Sequence, residues 1–260
     1  MPSFDGKVAI ITGGAGGIGS TVAHSFAREG AAVVITDMDL TRAKQVAADV
    51  ADKGGRALAV KVDVTSKDDV FASVERGVEH FGRMDYLVHC AGNNIKGPVL
   101  DLSLDAWNSS LATHLTGAFL FCQAVGRELV KQGNGGRVVL MSSIAAVTPV
   151  PERGAYSPAK AGLIALAKQL SLEWAKHRIN VNAVCPGVVL TPMTDMVYKR
   201  EPQLRAQRLK RTPMGREVNP QEVADLVLFL CSDKSTYITG AAMMIDGGFT
   251  HAAFLPEEGL

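Results

Sequence analysis

The sequence predicts an α/β fold in which a single doubly wound sheet of seven parallel strands is flanked by helices on both faces. Three observations carry that prediction. Short apolar runs rich in β-branched residues recur along the chain, most of them are separated by segments of helical periodicity, and a glycine-rich turn follows the first run directly. The runs are KVAIIT (7–12), AAVVIT (31–36), RALAVKV (56–62), DYLVHC (85–90), GRVVLM (136–141), RINVNAV (178–184) and AAMMID (241–246). Because they are apolar on both faces, they read as buried parallel strands rather than as strands with one wet face. GSTVAHSFAREG (19–30) and AGLIALAKQLSLEWAKH (161–177) show the spacing of covering helices.

No low-complexity linker divides the 260 residues, so one domain, 1–260, is expected. The longest stretch expected to be irregular is 185–218, interrupted by Pro186, Pro192, Pro202 and Pro213, and it is a candidate lid. Its basic run, Lys199 to Arg211, reads as a solvated helix face. A net charge of +1 with 47% apolar residues argues against a nucleic-acid binder or a disordered tail. Neither a signal-like N-terminus nor a run long enough for a membrane span is present in the sequence, so a cytoplasmic protein is expected. Cys90, Cys122, Cys185 and Cys231 are scattered without C-x-x-C spacing and the six histidines without metal-face spacing, which predicts reduced cysteines and no metal.

The first turn, TGGAGGIG, sets Gly14, Gly16 and Gly19 at G-x-G-x-x-G spacing between a strand and a helix. Glycines there let the backbone approach a pyrophosphate, and the helix start offers it free N–H groups and a positive dipole end. The second strand ends at Asp37, where a carboxylate accepts hydrogen bonds from an adenosine ribose and repels a 2′-phosphate, predicting NAD over NADP. A P-loop is excluded because the G-K-[ST] ending is missing.

Further on, RGAYSPAKAGLIAL (153–166) places Tyr156 and Lys160 one helical turn apart. Two readings fit: a partly buried tyrosine beside a solvated lysine, or a phenol whose acidity is raised by a nearby ammonium.

At this point the chain resembles the short-chain dehydrogenase/reductase family, in its one-domain branch with a Rossmann fold. TGGAGGIG (12–19) fits T-G-x-x-x-G-x-G with Gly13, Gly17 and Gly19, YSPAK (156–160) fits Y-x-x-x-K, and Ser143 stands 13 residues before the tyrosine. VDV (62–64) resembles the segment that meets the adenine, and CPGVVLT (185–191) the P-G turn beside the carboxamide. The resemblance implies an NAD-dependent oxidoreductase with Tyr156 as general acid/base, Lys160 lowering its pKa and holding the nicotinamide ribose, and Ser143 bonding the reacting oxygen. It implies cofactor contacts from Gly13, Gly17, Ile18, Gly19, Asp37, Asp63, Val64, Ala91, Gly92, Tyr156, Lys160, Pro186, Gly187, Val189 and Thr191. It also implies a homotetramer built on the helices containing 107–131 and 155–176. Ser142 reads as a turn serine.

Two departures stand out. HCAG (89–92) replaces N-N-A-G, so only backbone contacts of Ala91 and Gly92 carry over, and His89 reads as structural. His114 stands where the family has an asparagine that positions a water beside the lysine. A histidine can hold that water or accept the proton itself, or it can simply pack and cap. Around these motifs Asn93, Asn94, Lys96, Glu152 and Arg153 are polar while Ala145, Val147 and Val150 are small or apolar, favouring a small polar substrate such as a sugar, polyol or hydroxy acid. A carbonyl reductase like the 3-oxoacyl carrier-protein reductases is the rival within enzymes, opposed by Asp37. A non-catalytic NAD-binding module is opposed by the intact Ser143, Tyr156 and Lys160. The tail FTHAAFLPEEGL has the place of a segment that closes over a neighbouring site.

Overall fold

The computed structural model describes residues 4–252, so most of the tail singled out above lies outside the described residues. Strands β1 (Val8–Thr12), β2 (Ala32–Asp37), β3 (Arg56–Lys61), β4 (Tyr86–His89), β5 (Gly136–Met141), β6 (Ile179–Pro186) and β7 (Ala242–Ile245) form one sheet in the order β3-β2-β1-β4-β5-β6-β7. Every pairing is parallel. All seven apolar runs are therefore strands, and their alternate residues feed two cores, as the period of two requires. Val8, Ile10, Leu87, Val138 and Val181 point to one face, and Ala9, Ile11, Val88, Val139 and Val184 to the other.

The first face is covered by α3 (Lys67–Phe81), α5 (Gly117–Gln132) and α6 (Tyr156–Trp174), through Val74, Phe121, Val125 and Leu163. The second is covered by α1 (Gly17–Arg28), α2 (Leu40–Ala51) and α9 (Pro220–Cys231), through Val22, Phe26, Val50 and Val227. Truncating a fully buried side chain such as Phe121 to alanine would cost about 3–5 kcal/mol. Strand order reverses between β1 and β4, which opens a crevice at the carboxyl ends of the strands.

Two expectations need correction. The stretch 185–218 is not irregular: it contains α7 (Pro192–Arg200) and α8 (Pro202–Lys210). Pro192 and Pro202 start these helices rather than interrupt them, since a first-turn residue has no N–H partner to lose. The helix expected through 107–131 is also broken. α4 (Leu104–Leu111) and α5 are joined by a π-helical turn, Ala112–Thr116, with His114 at its middle. Among the described residues no helix is long and apolar enough to cross a membrane.

Candidate active site

The residues singled out from the sequence converge on the carboxyl edge of the sheet. Gly13–Gly19 follow β1, Asp37 ends β2, Asp63 and Val64 follow β3, Ala91 and Gly92 follow β4, Ser143 follows β5, and Pro186–Thr191 end and follow β6. Close backbone approaches explain the glycines. Gly13, at φ +60°, would place a Cβ 2.9 Å from the backbone of Ala91, and Gly17 would place one 2.9 Å from Thr191 Cβ. The glycine turn thus touches both β4's end and the start of α7.

Helix α1 begins at Gly16 with no side-chain cap, which leaves its first amides open to an anion. At the end of β2, Asp37 is held by N–H donation from Ala15 (3.1 Å) and Asp39 (3.0 Å). Arg42 Nη2 donates to Ala15 O (3.0 Å) and fastens the same turn. Asp63 accepts from Thr65 N and Oγ1 at 2.9 and 2.7 Å. Gly187 donates to Ile245 O (2.9 Å), and Thr191 caps α7. Uncapped amides, a glycine cradle and a fixed carboxylate at the next strand's end suit a dinucleotide.

Tyr156 opens α6, its N–H donating to Arg153 O (2.9 Å). Lys160, buried one turn later, donates from Nζ to Met141 O (2.7 Å) and lies 5.5 Å from the centre of the Tyr156 ring. Ser142 Oγ donates to Lys160 O (2.8 Å), so this turn serine docks α6 on β5. Ser143 Oγ accepts from Ala145 N (3.1 Å), and its hydroxyl acts on the Tyr156 phenol in the direction of ionisation.

Burial pushes the Tyr156 phenol above its usual range, opposed by the Ser143 hydrogen bond and by the charge of Arg153. The spacing suggested a phenol drawn down by Lys160. That expectation needs correction: the ammonium sits over the ring face, and Arg153 is the cation that opposes burial. Lys160 itself is lowered to about 8, chiefly by burial.

His114 packs edge-on against Tyr156, ring centres 5.2 Å apart. Its Nε2 lies 3.2 Å from Asn93 N and 3.0 Å from Asn93 O, so one tautomer accepts from the N–H and the other donates to the carbonyl. Asn93 Nδ2 donates in turn to Thr113 Oγ1 (3.0 Å) and Ser109 O (3.3 Å). Burial, then the charge of Lys160, lowers His114 to about 3, so the ring is neutral near pH 7. A proton-accepting role for it conflicts with that environment; holding Asn93 does not. The imidazole occupies the space that a Cβ at Gly92 would need, 2.8 Å from Nδ1.

Sequence reasoning missed Thr12 and Arg42. Thr12 Oγ1 accepts from Cys90 N and Ala91 N, both at 3.1 Å, and lies 3.0 Å from His89 Nδ1, locking β1 to β4. The only available signal was the threonine that opens TGGAGGIG, of which the glycines alone were used. Arg42 carried no signal at all. A crevice of about 580 Å³ lined by Asp5, His24, Arg28 and Lys53 lies at the C-terminal ends of α1 and α2, away from these groups.

Comparison with known proteins agrees with this geometry. Residues 13–250 match the family model described as enoyl-(acyl carrier protein) reductase. The chain is 38% identical to D-threitol dehydrogenase of Mycolicibacterium smegmatis, over 95% of this chain and 94% of that protein. It is 37% identical to an NAD-dependent glycerol dehydrogenase of Listeria innocua, over 94% of each. The crystal structure of gox2181 superposes with a TM-score of 0.92 at 36% identity, covering 96% of this chain and 97% of that one. With its parallel sheet, glycine turn and Ser143, Tyr156 and Lys160 at one edge, the chain belongs to the short-chain dehydrogenase/reductase family, as a nicotinamide-cofactor oxidoreductase acting on CH–OH groups.

Proposed function

We propose that the chain is an NAD-dependent dehydrogenase that oxidises a secondary hydroxyl of a small polyol to the carbonyl. The observation that carries this reading is Tyr156 at the start of α6, with Ser143 just past the end of β5 and the buried Lys160 one turn on, at the same sheet edge as the glycine turn and Asp37. Similarity to threitol and glycerol dehydrogenases supports the polyol.

When bound, the nicotinamide supplies the acceptor for the carbinol hydride. Tyr156 Oη takes the hydroxyl proton, so that no free alkoxide accumulates. Ser143 Oγ holds the reacting oxygen, the charge of Arg153 favours the Tyr156 phenolate, and the Lys160 ammonium binds ribose hydroxyls. His114 acts as a positioning residue: it fixes Asn93 and the wall that follows it. Gly13, Gly17, Ile18 and Gly19 cradle the pyrophosphate, Asp63 and Val64 border the adenine, and Ala91, Gly92, Pro186, Gly187, Val189 and Thr191 border the nicotinamide side. Asp37 takes the adenosine ribose and repels a 2′-phosphate. Leu104, Phe119, Val130 and Leu172 are exposed on α4, α5 and α6, which supports a homotetramer, here assigned to the cytoplasm.

The test is reduction of NAD and of NADP with polyols, sugars, hydroxy acids and simple alcohols, followed by absorbance of the reduced nicotinamide. Turnover of polyols is expected with NAD preferred on the order of 10-fold or more, because juxtaposed like charges cost several kcal/mol. Asp37→Ser should reverse much of that preference. Binding of NADH without turnover of any polyol would sink the reading.

A further inference from the structure

The segment after β4 and the segment before α6 meet at one wall of the site. Gly97 and Arg153 form a parallel bridge, in which Gly97 N donates to Glu152 O and Gly154 N to Gly97 O, both at 3.0 Å. Arg153 stands between two left-handed residues, Glu152 at φ +60° and Gly154 at φ +52°. For a non-glycine residue that conformation is strained and persists only where the surroundings enforce it. Here the enforcement fixes where the Arg153 side chain leaves the backbone.

Arg153 is half-buried as a residue, and its Nη1 donates to Asn94 Oδ1 (2.9 Å). Among the described residues, no further hydrogen bond and no carboxylate engages the guanidinium. A planar fork held at one corner presents its remaining donors in a fixed geometry suited to oxygen ligands. Arg153 O accepts from Tyr156 N (2.9 Å), and Asn94 follows Asn93, which is bonded to the His114 ring packed on Tyr156, so both ends of the Arg153–Asn94 pair adjoin the reacting centre. Val147 and Val150, exposed nearby in sequence, suit the carbon skeleton of a substrate more than its oxygens.

We propose that Arg153, held by Asn94, is a specificity residue that donates hydrogen bonds to a hydroxyl on the carbon next to the carbinol deprotonated by Tyr156, and so selects vicinal diols over simple secondary alcohols. This rests on the dehydrogenase reading above and names the substrate feature that site reads.

The test compares butane-2,3-diol, butan-2-ol and 2-hydroxybutanoate as substrates of the wild type, Arg153→Gln, Arg153→Lys and Asn94→Ala, with NAD as acceptor and thermal melting as the check on folding. The expected result is a fall of at least about 10-fold in the diol to mono-alcohol ratio of kcat/KM in Arg153→Gln, the size of one lost charge-assisted hydrogen bond. The loss should lie mainly in KM for the diol, with partial recovery in Arg153→Lys and a smaller fall in Asn94→Ala, where the fork loses its anchor. An unchanged ratio in folded Arg153→Gln overturns the proposal while leaving the dehydrogenase reading intact. A loss confined to 2-hydroxybutanoate overturns the diol assignment and gives the fork to a carboxylate. A wild type that binds NADH and oxidises none of the three, nor any polyol, overturns both.

Discussion

The first third of the described chain and the remainder bury the same sheet but treat polar groups differently. In residues 4–88, which carry β1 to β3 and most of β4, the described residues satisfy their buried polar atoms, largely through the main chain: Asp85 Oδ2 accepts from Val8 N, and Thr36 Oγ1 donates to Ile11 O. The buried side-chain atoms that find no partner within the protein are His89 Nε2, Asn93 Oδ1, Ser110 Oγ, His114 Nδ1, Arg137 Nε and Ser157 Oγ. All lie beyond residue 88; His114 packs on the Tyr156 ring, Asn93 is bonded to His114, and Ser157 follows Tyr156 in the chain. An unpartnered buried polar group costs about 1–3 kcal/mol. The first region is organised for stability; the second, which holds Ser143, Tyr156 and Lys160, keeps polar capacity at a stability cost, as functional sites do.

The comparison breaks first at Tyr156. Tyr156→Phe should lower kcat about 100- to 10,000-fold, while NADH still binds by fluorescence titration; a loss under about 10-fold would remove the tyrosine from proton transfer. A middle-sized effect is expected inside the second region. Gly92→Ala sets a Cβ against the His114 ring and should destabilise by about 1–3 kcal/mol. In Gly92→Ala/His114→Asn the smaller side chain should restore much of that, read as the melting temperature of each variant; equal losses in both would show that the ring is not the obstacle.

A pH dependence carries the comparison further. Burial, reinforced by the charge of Lys160, lowers His89 and His114 to about 3, against about 6.5 in the unfolded chain. Between those values the unfolded chain binds more protons, so stability is full above about pH 6.5 and falls as pH drops toward 3. Each histidine contributes a slope of at most about 1.4 kcal/mol per pH unit. Denaturant midpoints measured from pH 7 to 4 should fall, and fall less steeply in His114→Asn; parallel curves would contradict the buried neutral ring.

What could be read from sequence follows a physical divide. Strands were legible because burial on both faces leaves a continuous apolar run, as in Ala32–Ile35. The glycine turn was legible because close approach admits no side chain. Contacts that bridge long stretches of chain left no mark: His114 to Asn93 spans 21 residues, and Arg153 to Asn94 spans 59. The acidity of Tyr156 was misjudged because spacing places Lys160 on the correct face but does not say whether the ammonium lies by the oxygen or over the ring. Phe119, Phe121 and Val125 all suggested surplus apolar surface, yet Phe121 and Val125 are core and Phe119 alone of the three is 45% exposed.

The π-helical turn at 112–116 bears on which insertions and deletions the gene tolerates. Each residue of an α-helix advances the chain by about 100°, so the extra residue in a π turn sets the angular phase between α4 and α5. Removing one residue there would straighten the helix and swing the whole of α4 by roughly that angle, turning Ser110 out of its buried position and separating His114 from Asn93. The same single-codon deletion in the exposed turn at 52–54 would alter only a connection at the surface. The reading frame of the fold is therefore rigid at a place where the sequence looks like ordinary helix.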